Sequence, residues 1–229
     1  MQGMKERKMD ALKGKVVLVT GAGRGLGREL AVAFADQGAI VAANDLTPVN
    51  LDVTLKLIHE RGGKVKDYLF DVAIRMQAQA MLDEIVDDLG RLDIVVNHAT
   101  VRPRASILDM DEWDWRRTID VNLSGPFFLI QAAGKIMERQ GGGVVVNIGE
   151  ADVNLDGLTE HAAYHASKIG LAGLTRQAGN ELGKKNINVH LVCPGDPPGS
   201  VEILLNKDSE HPWSVVERVL FLCSQGSLT

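Results

Sequence analysis

The chain is short of cysteine, of positive charge and of long apolar runs, and each shortage excludes something. Its 229 residues include two cysteines, Cys193 and Cys223, too few for a disulfide framework and suited to a reducing compartment. They give no support to a metal site either. The net charge of −5 argues against a nucleic-acid surface, because phosphate binding needs clustered Lys and Arg. No segment is long and apolar enough to span a bilayer, and the start lacks the apolar stretch of a secretory signal. That start is polar and basic, with Lys5, Arg7, Lys8, Lys13 and Lys15, and reads as a flexible extension over residues 1–13. A cytoplasmic protein with neither a nucleic-acid nor a membrane partner is expected. What is present, 45% hydrophobic and 24% charged residues, is ordinary globular composition. Residues 14–229 suffice for one domain with a sizeable core.

Six short β-branched runs alternate with longer helical patterns, without repeats or low-complexity linkers. The runs are 16–20, 40–44, 65–70, 94–97, 144–148 and 188–192. They lack clean period-two alternation, as do strands covered on both faces of a parallel sheet. Leu26, Leu30, Ala33, Phe34 and Gln37 recur at three-to-four spacing, as do Met81, Leu82, Ile85, Val86 and Leu89, and predict helices. Residues 111–137 and 161–182 predict two long helices, the first interrupted near Gly125-Pro126, where proline removes a backbone donor. Trp113 and Trp115 in the first of these read as core or interface aromatics, and a last helix is expected over 213–223. The β–α alternation predicts a right-handed, doubly wound α/β domain with helices on both faces. Ligands in such folds bind beyond the carboxyl ends of the strands, and the residues that carry chemistry fall there.

After the first run comes Thr20-Gly21-Ala22-Gly23-Arg24-Gly25-Leu26-Gly27, then a helical pattern. Glycines allow a tight turn and let backbone donors approach a pyrophosphate at the positive end of a helix. The second run closes on Asn44-Asp45. A carboxylate there accepts the ribose hydroxyls of an adenosine and repels a 2′-phosphate, which favours NAD over NADP. It also suits a cap on the turn Leu46-Thr47-Pro48. Arg24, basic and within the glycine turn, pulls toward a 2′-phosphate. Further on, Tyr164-His165-Ala166-Ser167-Lys168 places Tyr164 and Lys168 on one helix face. A phenol with a pKa of about 10 is a poor acid–base group at neutral pH, and a lysine cation beside it favours the phenolate. His161 and His165 share a helix face too, but no third metal ligand accompanies them.

These strings in this order, T-G-x-x-x-G-x-G, then Asn97, Asn122 and Y-x-x-x-K, resemble the short-chain dehydrogenase/reductase family over residues 14–229. The segments 41–46 and 115–123 are similar to 3-oxoacyl reductase and 3-hydroxyacyl dehydrogenase members. The resemblance implies a three-layer α/β/α, Rossmann-type fold and hydride transfer between a nicotinamide and a carbonyl/alcohol pair. It implies cofactor contacts from Gly21, Arg24, Gly25, Leu26 and Gly27, from Asp45, from Asp71 and Val72 at the adenine, and from Asn97 and Ala99. Pro194 and Gly195 would lie beside the nicotinamide, with Tyr164 and Lys168 touching the cofactor as well. Tyr164 becomes the acid–base residue, Lys168 the cation that lowers its pKa, and Asn122 the holder of a water leading to that lysine. The expected partners are a small-molecule carbonyl or alcohol and a second copy in a dimer or tetramer, since helices 111–137 and 160–182 match the family's packing helices. An active paralogue is an alternative partner.

The chain also departs from the family pattern. Where the family reads N-N-A-G, it has Asn97-His98-Ala99-Thr100, with a branched Thr100 near the cofactor ribose. Where the family places a catalytic serine, it has Asn147-Ile148-Gly149-Glu150-Ala151-Asp152. No serine occurs between Ser124 and Ser167, and Thr159 lies too near Tyr164 to replace it. Losing one such donor costs about 2.7–4 kcal/mol, roughly 10²–10³ in rate. An ionised Glu150 would repel a developing oxyanion, and only a protonated one would donate to it. The segment before the last helix is shorter than the family's lid, and the family's last strand is missing, which leaves a sheet edge exposed or covered by a partner. Two functions are therefore expected: an NAD-dependent oxidoreductase of impaired activity, or a catalytically inactive homologue acting as a structural or regulatory subunit.

Overall fold

Both faces of the first strand are covered, and this decides how the rest of the chain is layered. The computed structural model describes residues 11–150, 159–194 and 214–225. Its strands are β1 (Val16–Thr20), β2 (Ile40–Asn44), β3 (Lys64–Tyr68), β4 (Ile94–Asn97), β5 (Gly143–Ile148) and β6 (Ile187–Val192). All pair in parallel, in the order β3-β2-β1-β4-β5-β6. Val17 and Val19 join a core with Leu30, Phe34 and Leu222, whereas Val16 and Leu18 join another with Met81, Ile85 and Leu129. Helices on both faces make this the expected three-layer, Rossmann-type domain, and they explain why the strands carry no alternation. Strand order reverses between β1 and β4, where doubly wound sheets open a crevice beyond the strand ends.

The helices are α1 (Gly25–Asp36), α2 (Pro48–Glu60), α3 (Arg75–Leu89), α4 (Glu112–Ile119), α5 (Gly125–Gln140), α6 (Ala162–Leu182) and α7 (Val215–Gln225). α2 stands where the sequence predicts only a turn: Pro48 begins a helix, at a position whose N–H has no intrahelical partner in any case. The single bent helix expected over 111–137 is two helices joined by a π turn, Asp120–Ser124. The break therefore precedes Pro126, which sits harmlessly in the first turn of α5. Asp111 starts α4 by accepting the Asp114 amide at 2.7 Å. Trp113 and Trp115 are not core residues; they are 70% and 42% exposed. β3 ends at Tyr68 rather than at 70, because the Asn44 side-chain amide takes the carbonyls of Tyr68 and Phe70, both at 2.9 Å. α7 starts two residues later than expected. Among the described residues β3 and β6 are the two edges of the sheet, and no described helix is long and apolar enough to cross a membrane. Residues 1–10 of the expected extension, and Asp196–Trp213, lie outside the described residues.

Candidate active site

The glycine turn depends on approaches that a side chain would block. Gly21 has φ 68° and Gly25 φ 51°. A Cβ on Gly21 would lie 3.0 Å from the Ala99 Cα, and one on Gly27 would collide with the Gly21 carbonyl oxygen. The Thr20 hydroxyl ties the turn to the end of β4 by accepting the His98 and Ala99 amides at 3.0 and 3.1 Å. Leu26 packs against the core beneath, and Arg24 is exposed. α1 begins with no side-chain cap and no acidic residue in its first turn, so its amide donors and positive dipole end remain available to an anion.

Asp45 reaches back to this turn from the end of β2. Its Oδ2 accepts the Gly23 amide at 3.0 Å and its Oδ1 the Thr47 amide at 3.1 Å, so it caps the following turn and stands beside the glycines at once. A Cβ on Gly23 would lie 2.6 Å from that carboxylate. Asp71, after β3, is gripped by Arg117 at 2.8 and 3.3 Å and also accepts the Ala73 amide at 3.0 Å. Val72 beside it is buried. Asn97 donates to Asn147 at 2.7 Å, and Asn147 to Thr175 at 2.8 Å. The Asn97 Oδ1 is buried without a hydrogen-bond partner, an orphaned acceptor of the kind a ligand satisfies. The tight glycine turn, the uncapped helix start and this acceptor fit a dinucleotide laid across the ends of β1, β2 and β4. Pro194 is half-buried just after β6; Gly195 lies outside the described residues.

Tyr164 and Lys168 lie one turn apart on α6, each 7% exposed. Lys168 Nζ is 5.7 Å from the Tyr164 ring centroid and donates to the Ile148 carbonyl at 2.8 Å. The Tyr164 hydroxyl donates to Glu150 Oε2 at 2.7 Å. Gly149 is packed away from it, since a Cβ there would lie 2.9 Å from both Cys193 and Leu191, so Glu150 is the residue that meets the phenol. In this state the Tyr164 phenol is held above its ordinary value. Burial and then the Glu150 bond push the phenol up, and Arg102 opposes them.

Asn122 lies in the π turn and clamps two segments. Its amide donates to the Val101 carbonyl (2.9 Å) and the Ser167 hydroxyl (3.1 Å), and its oxygen accepts from the Val101 amide (2.9 Å) and the Thr100 hydroxyl (3.0 Å). Ser167 donates in turn to the Tyr164 carbonyl at 2.6 Å. His161 and His165 stand edge-on to Tyr164, and no group of three possible metal ligands occurs among the described residues.

Burial holds Lys168 down to about 8 from the ordinary 10.5. Below pH 8 both folded and unfolded chains carry the proton, and the folded state bears the whole cost of burying it. Between those values the unfolded chain binds a proton that the folded chain has lost, so stability rises with pH. Relative to Lys168→Met, the wild type should gain thermal stability across this window. Melting curves near neutral pH and near pH 10 check it, and a constant gap would contradict it.

Residues 15–201 match the family model described as short chain dehydrogenase. The chain belongs to the short-chain dehydrogenase family. It is 38% identical over 207 residues to an uncharacterized oxidoreductase of Thermotoga maritima, covering 90% of this chain and 81% of that protein. The 3-oxoacyl-[acyl-carrier-protein] reductase FabG of the same organism is 38% identical over 184 residues, 80% of this chain and 74% of the relative. A metagenomic short-chain oxidoreductase, solved in complex with NADP, superposes with a TM-score of 0.83 at 28% identity, covering 96% of this chain and 95% of its own.

Several residues that build this short-chain dehydrogenase site were not legible as site residues. Arg28 donates to Gly23 O, to Asn50 O at 3.2 Å and to Thr54 at 3.0 Å, fixing the glycine turn to α2. Arg117 holds Asp71 from 46 positions away. The helices α5 and α6 also leave a groove lined by Phe127, Ile130 and Leu174 that no described segment fills.

Proposed function

We propose that the protein is a nicotinamide-dependent oxidoreductase that interconverts a carbonyl and an alcohol on a small molecule, with its acid–base step restrained by Glu150. The observation that carries this reading is the placement of Tyr164 and Lys168, buried together at the same end of the sheet as the glycine turn. A bound nicotinamide supplies or accepts the hydride. Gly21, Gly25 and Gly27 would admit its pyrophosphate, and Asp71 and Val72 would border its adenine. Tyr164 gives its proton to the substrate oxygen during reduction and takes it back during oxidation. Lys168 favours the charged phenolate, and Asn122 keeps the segments around Val101 and Ser167 in place. With Glu150 as its acceptor, Tyr164 has its proton directed away from substrate, and no serine donor meets a developing oxyanion. The test is transfer of deuterium from 4-deuterated NADH to a panel of ketones and aldehydes, by mass spectrometry. Label should reach the product carbon with wild type and not with Tyr164→Phe; no transfer with any carbonyl would count against the reading.

NAD is the favoured cofactor. Asp45 stands between the Gly23 and Thr47 amides, where a 2′-phosphate would bring two negative charges together. Asp45→Asn is expected to tighten NADPH binding relative to NADH by about tenfold, in line with a close charge–charge term of about 1 kcal/mol or more. An unchanged NADH/NADPH ratio would return the choice to Arg24.

A second reading, an inactive homologue serving as a structural or regulatory subunit, is favoured by one observation: the phenol proton is already committed to Glu150. Under either reading the apolar groove between α5 and α6, with Phe127 43% exposed, supports a homo-oligomer or pairing with an active paralogue.

A further inference from the structure

Arg102 occupies an unusual place beside the catalytic tyrosine. Its guanidinium carbon lies 4.7 Å from the Tyr164 ring centroid, on the segment between β4 and α4. That segment is fastened on both sides of it. Val101 is clamped by Asn122 through two hydrogen bonds of 2.9 Å. On the other side the Ala105 amide donates to the Glu160 carbonyl at 3.0 Å, residues 105 and 161 form a parallel bridge, and Arg104 pairs with the Glu160 carboxylate at 3.1 Å. Arg104 thus has its anion. Among the described residues Arg102 has neither an anion nor an acceptor for its N–H fork, while the ring contact holds its position.

Among the described residues, the charged side chains around the Tyr164 hydroxyl are those of Glu150, Lys168 and Arg102. Glu150 accepts from Tyr164, and Lys168 is buried and donates to the Ile148 carbonyl, whereas Arg102 is exposed. Among the described residues, Arg102 is therefore the exposed cation that a substrate meets on reaching Tyr164. A planar guanidinium with open N–H groups binds a carboxylate bidentately and gains little from a neutral group.

Resting on the oxidoreductase reading, we infer that Arg102 is a substrate anchor and that the substrate is an oxo acid or hydroxy acid. Its carboxylate pairs with Arg102 while its reacting oxygen meets Tyr164. In the reductive direction the carbonyl carbon gains the hydride of the reduced dinucleotide. The oxygen takes the Tyr164 proton, which solvent replaces, and the carboxylate is unchanged.

The test is calorimetric and needs no turnover. Pyruvate, acetoacetate and levulinate, each beside its methyl ester, are titrated into the protein with and without saturating NAD⁺, with which an oxo acid cannot react. At least one acid should bind about tenfold or more tightly than its ester. Arg102→Ala should erase that preference and Arg102→Lys keep part of it, since lysine retains the charge and loses the fork. NADH affinity serves as the folding control. Acids that bind no better than esters, or a preference that survives Arg102→Ala, overturn the anchor while NADH binding leaves the oxidoreductase reading standing. Failure to bind any dinucleotide overturns that reading instead, and the acid–ester comparison without NAD⁺ still decides the anchor.

Discussion

Glu150→Ser raises carbonyl turnover by roughly 10²–10³-fold, the scale set by one donor to a developing oxyanion. Two effects combine. The serine hydroxyl can donate to the substrate oxygen, and Tyr164 loses the acceptor that now holds its proton. The phenol pKa falls as well, because the Glu150 hydrogen bond and charge are two of the causes that raise it. Oxidation, which needs the phenolate, should therefore begin at lower pH in Glu150→Ser than in wild type. Glu150→Gln removes the charge and adds an N–H donor while still accepting from the phenol, so it should fall between the two. Tyr164→Phe in the Glu150→Ser background returns the rate to background. Steady-state rates against pH for the four proteins decide the matter, and an unchanged rate in Glu150→Ser would refute the restraint assigned to Glu150.

Gly27→Ala abolishes dinucleotide binding. The new methyl would collide with the Gly21 carbonyl oxygen and approach His98 Nδ1 to 2.7 Å. Neither neighbour has room to withdraw, since Gly21 itself lies against the Ala99 backbone, and Thr20 ties that backbone to β1. Relief must come from opening the turn, and overpacking of this kind costs about 1–3 kcal/mol of stability. Gly25→Ala provides the contrast. Its Cβ would meet nothing within 4 Å, so only the left-handed backbone is penalised, by about 1–2 kcal/mol. Fluorescence titration with NADH should show no binding for Gly27→Ala at concentrations that saturate wild type. Wild-type affinity in that variant would mean that the turn does not carry the cofactor.

The sheet was legible because burial on both faces writes itself into continuous apolar runs such as Val16–Thr20, and the glycine turn because its spacing is local. Tyr164 and Lys168 were legible for the same reason, four residues apart on one helix. What escaped was long-range or geometric. The π turn at Asp120–Ser124 leaves no periodicity of its own, and the proline next to it suggested a kink one step too late. The Arg117–Asp71 pair joins residues 46 apart, and the Arg102–Tyr164 contact joins two separate segments. Glu150 was visible as a missing serine, but its bond to the phenol depends on Gly149 being packed against Cys193 and Leu191.

The most direct test of a preserved nucleotide half beside a restrained catalytic half is titration of the purified protein with NADH and, separately, NADPH. Micromolar NADH binding, with weaker NADPH binding, is the predicted result. Absence of binding by either would contradict the account and turn the search toward a partner subunit.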